Sequence, residues 1–170
     1  MKTVKVDLPE DRCRAGKITF GAVNGKIVTC SALGRGVTRW SSTRPPAQRV
    51  EYLKGQYVDT VPSDWQHGSG CWFLKANKKG GATPKGTYAV TGYGGRKTKW
   101  GSINSLSMYL RPPRDNRSAF VIHTDNRFKG AARIESRTHS TSGCLKLDPQ
   151  CQPLILQFYK EHGAFSMVID

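Results

Sequence analysis

The stretch KITFGAVNGKIVTCSA, residues 17–32, sets the fold class. Two runs rich in β-branched and apolar residues flank Asn24-Gly25. Both residues of that dipeptide tolerate the positive φ angles of a tight hairpin turn. The segment therefore reads as two antiparallel strands joined by a two-residue loop, and the same vocabulary continues outward from it. GCWFLKA at 70–76 reads as a buried strand. In TPKGTYAVTGYGG (83–95), Thr87, Tyr88, Val90, Thr91 and Tyr93 favour a strand bounded by Gly and Pro. SINSLSMYLRPP (102–113) and SAFVIHTD (118–125) are two more, the second apolar enough to lie centrally in a sheet.

Elsewhere the pattern changes. Residues 40–69 carry tandem prolines and mixed polarity, and read as a long irregular excursion with a short helix near 47–53. RIESRTHSTSG is a polar connection leading into the short segment CLKL. Near the end, Asp148 suits a helix cap, Pro149 its first position, and Leu154, Ile155, Phe158 and Tyr159 its buried face. Lys160 and His162 suit the last turn, Gly163 the stop, and AFSMVID alternates as a final strand. The expected fold is mainly β, with one late α-helix.

Composition fits one domain over residues 1–170. The chain is 37% hydrophobic, so it has enough apolar material to fold around a core. Its 18 Gly and 9 Pro are spread along the chain, which argues for many short elements rather than a helical bundle. The formal net charge is +15, from 27 Lys and Arg against 12 Asp and Glu. Such a surface attracts anions: nucleic acid, anionic lipid or an acidic cell-wall polymer. No stretch approaches the ~18 apolar residues of a membrane span. MKTVKVDLPEDRC lacks the apolar core of a signal peptide, so the expectation is a protein made in the cytoplasm without a classical export signal.

Five cysteines stand at 13, 30, 71, 144 and 151, without CxxC pairs or zinc-finger spacing, so no structural metal site is expected. The odd count allows two disulfides and one thiol, or five reduced thiols. Attention falls on Cys144, within THSTSGCLKL (138–147). It reads as a nucleophile, a disulfide partner or a small buried residue. A nucleophilic Cys works as a thiolate and needs a base, and the attacked carbonyl needs donors aimed at its developing charge. Gly143 lets the backbone turn so that successive N–H groups face one point. Four histidines are candidate bases. His123 ends the apolar run FVIHTD, His139 precedes the Cys, His67 sits in a Gly/Ser-rich loop, and His162 suits the helix end.

Taken together, TPKGTY at 83–88, His123, and Thr141-Ser142-Gly143-Cys144-Leu145 resemble the YkuD-type L,D-transpeptidase catalytic domain. The resemblance covers about residues 71–170 and leaves 1–69 as N-terminal strands and the irregular excursion. It implies mixed β-sheets packed as a sandwich, with a Cys/His cleft, and needs no cofactor. It implies Cys144 as nucleophile, His123 as base, and the N–H groups of Gly143 and Cys144 as oxyanion donors. The bond attacked would be that between diaminopimelate and D-Ala in a peptidoglycan stem peptide. Water would then complete an L,D-carboxypeptidase reaction, and an amine would give exchange or cross-linking. Two positions depart from the pattern. Ser142 stands where a His is usual, with His139 as a compensating candidate, and Lys146 replaces the usual Arg or Asn. Ser142 thus joins the catalytic set, while His139, Lys146, Thr141, Tyr88 and Trp100 are the expected substrate contacts.

The chain is also similar to the small single-domain branch delivered into rival bacteria by type VI secretion. That similarity implies action in a target periplasm, a secretion apparatus and a periplasmic immunity protein as partners, and a monomer. The competing reading is a basic nucleic-acid-binding module without catalysis, resting on charge and on clusters such as Lys75–Lys79, Arg96–Lys99 and Arg111–Arg117. No recognition motif accompanies that charge, so no specific nucleic-acid partner is expected.

Overall fold

The computed structural model describes residues 2–23, 25–34, 49–51, 56–58, 65–68, 72–77, 81–98, 101–114, 117–124 and 143–170. The opening hairpin forms as its sequence predicts. Strand β2 (Gly16–Val23) and strand β3 (Lys26–Leu33) pair antiparallel, with Gly25 in the turn at φ 78°, a conformation that favours glycine. Strand β1 (Thr3–Asp7) precedes them and pairs with β2.

Three-residue strands follow in two small hairpins: β4 (Arg49–Glu51) with β5 (Gln56–Val58), and β6 (Trp65–His67) with β7 (Trp72–Leu74). The helix expected near 47–53 is thus corrected: Arg49–Glu51 is a strand. A segment that short gains little from helical hydrogen bonds in water, whereas the partner strand supplies a ladder at once. His67 ends β6 rather than lying in a loop.

The long strands come next: β8 (Gly86–Thr98), β9 (Gly101–Arg114) and β10 (Arg117–His123), with β11 (Leu145–Leu147) beyond them. Helix α1 (Gln152–His162) and strand β12 (Phe165–Ile169) end the chain. Eight strands close into a barrel in the order β1-β12-β8-β9-β10-β11-β3-β2. Only β1–β12 and β10–β11 run parallel, so the sheet is mixed, as expected. It curls on itself, where two stacked sheets had been anticipated. An eight-stranded barrel has an interior just wide enough for side chains to fill. Val4, Val6, Ile18, Phe20, Tyr88, Val90, Leu106, Met108, Ile122, Leu145, Phe165 and Met167 share that core, each at most 1% exposed. The alternation along β12, buried at Phe165, Met167 and Ile169, is the period of a strand with one face inward.

Helix α1 joins the core through Phe158, whose ring meets Phe20 at 5.5 Å and Phe165 at 5.3 Å, both edge-on. Its start differs from expectation. Asp148 accepts the Gln150 N–H at 2.9 Å in a turn before the helix, and Cys151 occupies the cap, with a Pro in the first turn. Its end matches: the Gly163 N–H donates to the Tyr159 carbonyl at 2.8 Å. A disulfide joins Cys151 to Cys30 of β3, with Cα atoms 6.2 Å apart. Cys13 is disulfide-bonded too. No described helix is long and apolar enough to cross a membrane.

Candidate active site

The site grows out of one strand pair. β10 and β11 run parallel, with Ile122 beside Leu145 and His123 beside Lys146. Register partners in a sheet point to the same face, and successive residues alternate. Ile122, Leu145 and Leu147 enter the barrel core, so His123 and Lys146 face the other way. Lys146 is also paired with Leu33 of β3, which is fully buried, so this outer face is covered there. Cys144 lies two positions before Lys146, immediately before β11; strand alternation carried back through it would put it on the His123 side. Two residues along a strand and one strand spacing correspond to roughly 8 Å between Cα atoms. A thiol and an imidazole together span that gap.

The histidine is oriented locally. Nδ1 lies 3.2 Å from the Thr124 carbonyl oxygen, which can only accept. The neutral ring therefore carries its proton on Nδ1 and leaves Nε2 as the basic nitrogen. The Thr124 hydroxyl meanwhile donates to the Leu147 carbonyl at 2.9 Å and ties the end of β10 to β11. One residue thus orients the His and fixes the strand that follows the Cys. Thr124 carried no signal in the sequence for this role.

The cysteine is a thiol, half-buried and outside the disulfides. Gly143 has φ 100°, which an L side chain rarely adopts, so the Gly before the Cys is required by the backbone. The Cys144 carbonyl accepts the Thr83 hydroxyl at 3.1 Å. Thr83, fully buried, is itself held at both backbone ends. Its N–H donates to Gly34 at 2.9 Å, and its carbonyl accepts Arg12 Nη2 at 3.3 Å. Arg12 Nη1 donates to the Pro9 carbonyl at 2.9 Å. A hydrogen-bonded chain thus runs from the β1–β2 connection through Thr83 to the residue carrying the thiol. Thr83 opens the TPKGTY motif and was visible in sequence. Arg12 carried no local signal, since its role depends on barrel closure.

Two expected substrate contacts are placed differently. Tyr88 is fully buried; its hydroxyl donates to the Pro84 carbonyl at 2.7 Å and its ring meets Phe120 edge-on at 5.9 Å. Its position is a corrected one: it braces the TPKG turn against the core and offers no surface to a substrate. Lys146 is 3% exposed, so it is no surface point charge, and a ligand would meet it only from within a cleft. Trp100, His139, Thr141 and Ser142 lie outside the described residues. His162 sits at the end of α1 against Phe158, on a different element from the Cys/His pair.

No family model matches the chain, and no curated protein matches it. A solved structure does. The chain is similar to an L,D-transpeptidase (residues 123–326) from Xylanimonas cellulosilytica DSM 15894, at 13% identity and a TM-score of 0.45. The likeness covers 99% of this chain and 60% of that one, so this chain spans about three-fifths of its neighbour's length. The case for a function rests on the chain's own residues.

Proposed function

We propose that the protein is a cysteine-dependent peptidoglycan L,D-transpeptidase or L,D-carboxypeptidase acting on the diaminopimelate–D-Ala bond of stem tetrapeptides. The observation that supports this reading is the parallel β10–β11 pair, in which His123 lies beside Lys146, two residues after Cys144. His123 Nε2 takes the Cys144 proton, and the thiolate attacks the diaminopimelate carbonyl carbon. The Gly143 and Cys144 N–H groups stabilise the oxyanion. As the tetrahedral adduct collapses, the C–N bond breaks, the imidazolium returns its proton to the amine and D-Ala leaves. Water or an acceptor amine then attacks the thioester, with His123 taking its proton, and Cys144 is regenerated. Water gives the shortened stem; a D-amino acid or a second stem gives exchange or a cross-link.

We further propose that the protein acts in the periplasm of a target bacterium as an antibacterial effector, with an immunity protein as inhibitor. The Cys30–Cys151 disulfide suits an oxidising compartment, and the +15 charge suits an anionic wall and an acidic inhibitor. That charge also favours a second reading, a basic nucleic-acid-binding module. Incubation with muropeptides separates the two. Mass spectrometry is expected to show loss of D-Ala from tetrapeptides, or its exchange for added D-Met, abolished in Cys144→Ala and His123→Ala. Intact tetrapeptides with wild-type protein, alongside a salt-dependent shift of DNA unaffected by Cys144→Ala, overturn the enzymatic reading in favour of the second.

A further inference from the structure

A cavity of about 270 Å³ lies between the β1–β2 connection, the β6–β7 hairpin and residues 81–85. Arg12, Phe73, Ala82 and Pro84 are its buried lining; Lys75, Lys85 and Glu10 stand at its exposed edge. Arg12 is only 5% exposed, and two carbonyls grip its guanidinium, those of Pro9 and Thr83. Carbonyls fix the position of a guanidinium without neutralising it. A charge withdrawn from water is costly unless an opposite charge meets it. Burial accordingly pushes Arg12 below its ordinary pKa, and the charge of the exposed Glu10 carboxylate offsets only part of that. These two bonds engage two of the five N–H donors that a guanidinium offers. The carboxylate lining the cavity is Glu10, at the exposed edge and ion-paired to Lys85. Among the described lining residues, three cations therefore meet one carboxylate, and the buried cation is the one lacking a buried counterion.

The cavity shares a residue with the active site. Arg12 holds the Thr83 carbonyl while the Thr83 hydroxyl holds the Cys144 carbonyl. Arg12 is thus linked to the Cys144 backbone through Thr83.

We propose that this cavity is a carboxylate subsite for the acidic peptide substrate, with Arg12 as its buried fork and Lys85 as its edge cation. The proposal rests on the peptidoglycan reading and adds to it the group that Arg12 recognises: a stem carboxylate upstream of the cleaved bond. A planar guanidinium held rigidly by two carbonyls is preorganised for that shape, since a carboxylate accepts two parallel N–H bonds. Glu10 is the internal competitor, because it occupies Lys85 when the subsite is empty.

The test titrates Cys144→Ala protein, which binds without turnover, and follows the Arg12 Nε–Hε signal by ¹⁵N NMR. That signal is assigned by its loss in Arg12→Lys. Three probes are compared: a tetrapeptide muropeptide with free carboxylates, the same muropeptide amidated at its isoglutamyl carboxylate, and glutarate. The free muropeptide is expected to move the Arg12 signal and to bind about tenfold more tightly than the amidated one. Arg12→Lys is expected to erase that discrimination and Lys85→Gln to weaken it. Glu10→Gln, a change at an exposed position, is expected to tighten binding severalfold by removing the competitor. Equal binding of the two muropeptides overturns the proposal, as does an Arg12 signal that glutarate moves and the muropeptide leaves still. Turnover of D-Ala by the wild-type protein is measured in parallel. Absent turnover counts against the enzymatic function, whereas an unresponsive Arg12 beside normal turnover counts against the subsite alone.

Discussion

Removing the Cys30–Cys151 disulfide tests how the barrel and the helix hold together. The bond closes a loop across 121 residues, from β3 to the cap of α1. By the chain-entropy argument, a cross-link of that span raises the free energy of the unfolded chain by about 5 kcal/mol at 25 °C. Measured losses commonly fall below the argument's value, so Cys30→Ala/Cys151→Ala is expected to lose about 3–5 kcal/mol. Alanine is the better replacement, because Cys151 is 2% exposed and a serine would bury a hydroxyl there. For a chain of this length, the loss corresponds to a melting point lower by roughly 10–15 °C. Urea titration followed by Trp fluorescence reads it directly. The m-value is expected to rise as well, because a chain without the cross-link exposes more surface on unfolding. A loss below about 1 kcal/mol with an unchanged m-value would refute the reasoning, since the loop would then not constrain the denatured state.

Three more outcomes follow from the site and its supports. Thr83→Val removes the hydroxyl that donates to the half-buried Cys144 carbonyl; it is expected to cost about 1–3 kcal/mol and to lower D-Ala release about tenfold. Thr83→Ser, which keeps the hydroxyl, should recover most of both in chemical melts and mass spectrometry. Gly143→Ala forces a side chain into φ 100°, so a stability loss of about 1–3 kcal/mol is expected, with near-complete loss of turnover. Lys85 holds the Glu10 carboxyl below the usual carboxylate range, by hydrogen bond and charge. A depressed folded pKa adds stability that is fully present above the unfolded value, near 4.5, and is lost as pH falls through the lowered one. Thermal melts of the wild type should therefore decline slightly more than those of Glu10→Gln on acidification below that value. Equal slopes would rule the ion pair out as a contributor.

What the sequence made legible was local. Gly25 in the β2–β3 turn, the alternation of Phe165, Met167 and Ile169, and the Gly163 stop each act over a few residues, and each appears in the structure as read. Closure is not local. The β11–β3 and β1–β12 pairings join segments more than a hundred residues apart, and no periodicity announces which edges will meet. Tyr88 shows the same limit at one residue. Its residue type suits a cleft wall or a core equally, and only the inward face of β8 decides between them. Cys144 and His123 stand out in the sequence because their chemistry is distinctive, while Thr124 and Arg12 act through carbonyl groups that any sequence possesses.

Those distant pairings also change what the N-terminal third is for. The resemblance in sequence covers about residues 71–170, and a boundary there would cut through the sheet. β3 lies directly beside β11, with Leu33 against Lys146 and Ala32 against Leu147, so it forms one wall of the strand that begins after Cys144. The Asp148 N–H donates to Ser31 at 3.3 Å, and Cys151 is bonded covalently to Cys30. Thr83 takes both of its backbone restraints from Gly34 and Arg12, residues that precede position 71. A short strand such as β11 has too few ladder bonds of its own to hold the Gly143 turn in place. The turn persists because neighbouring strands and a buried threonine over-determine it, and much of that determination comes from residues 12–34.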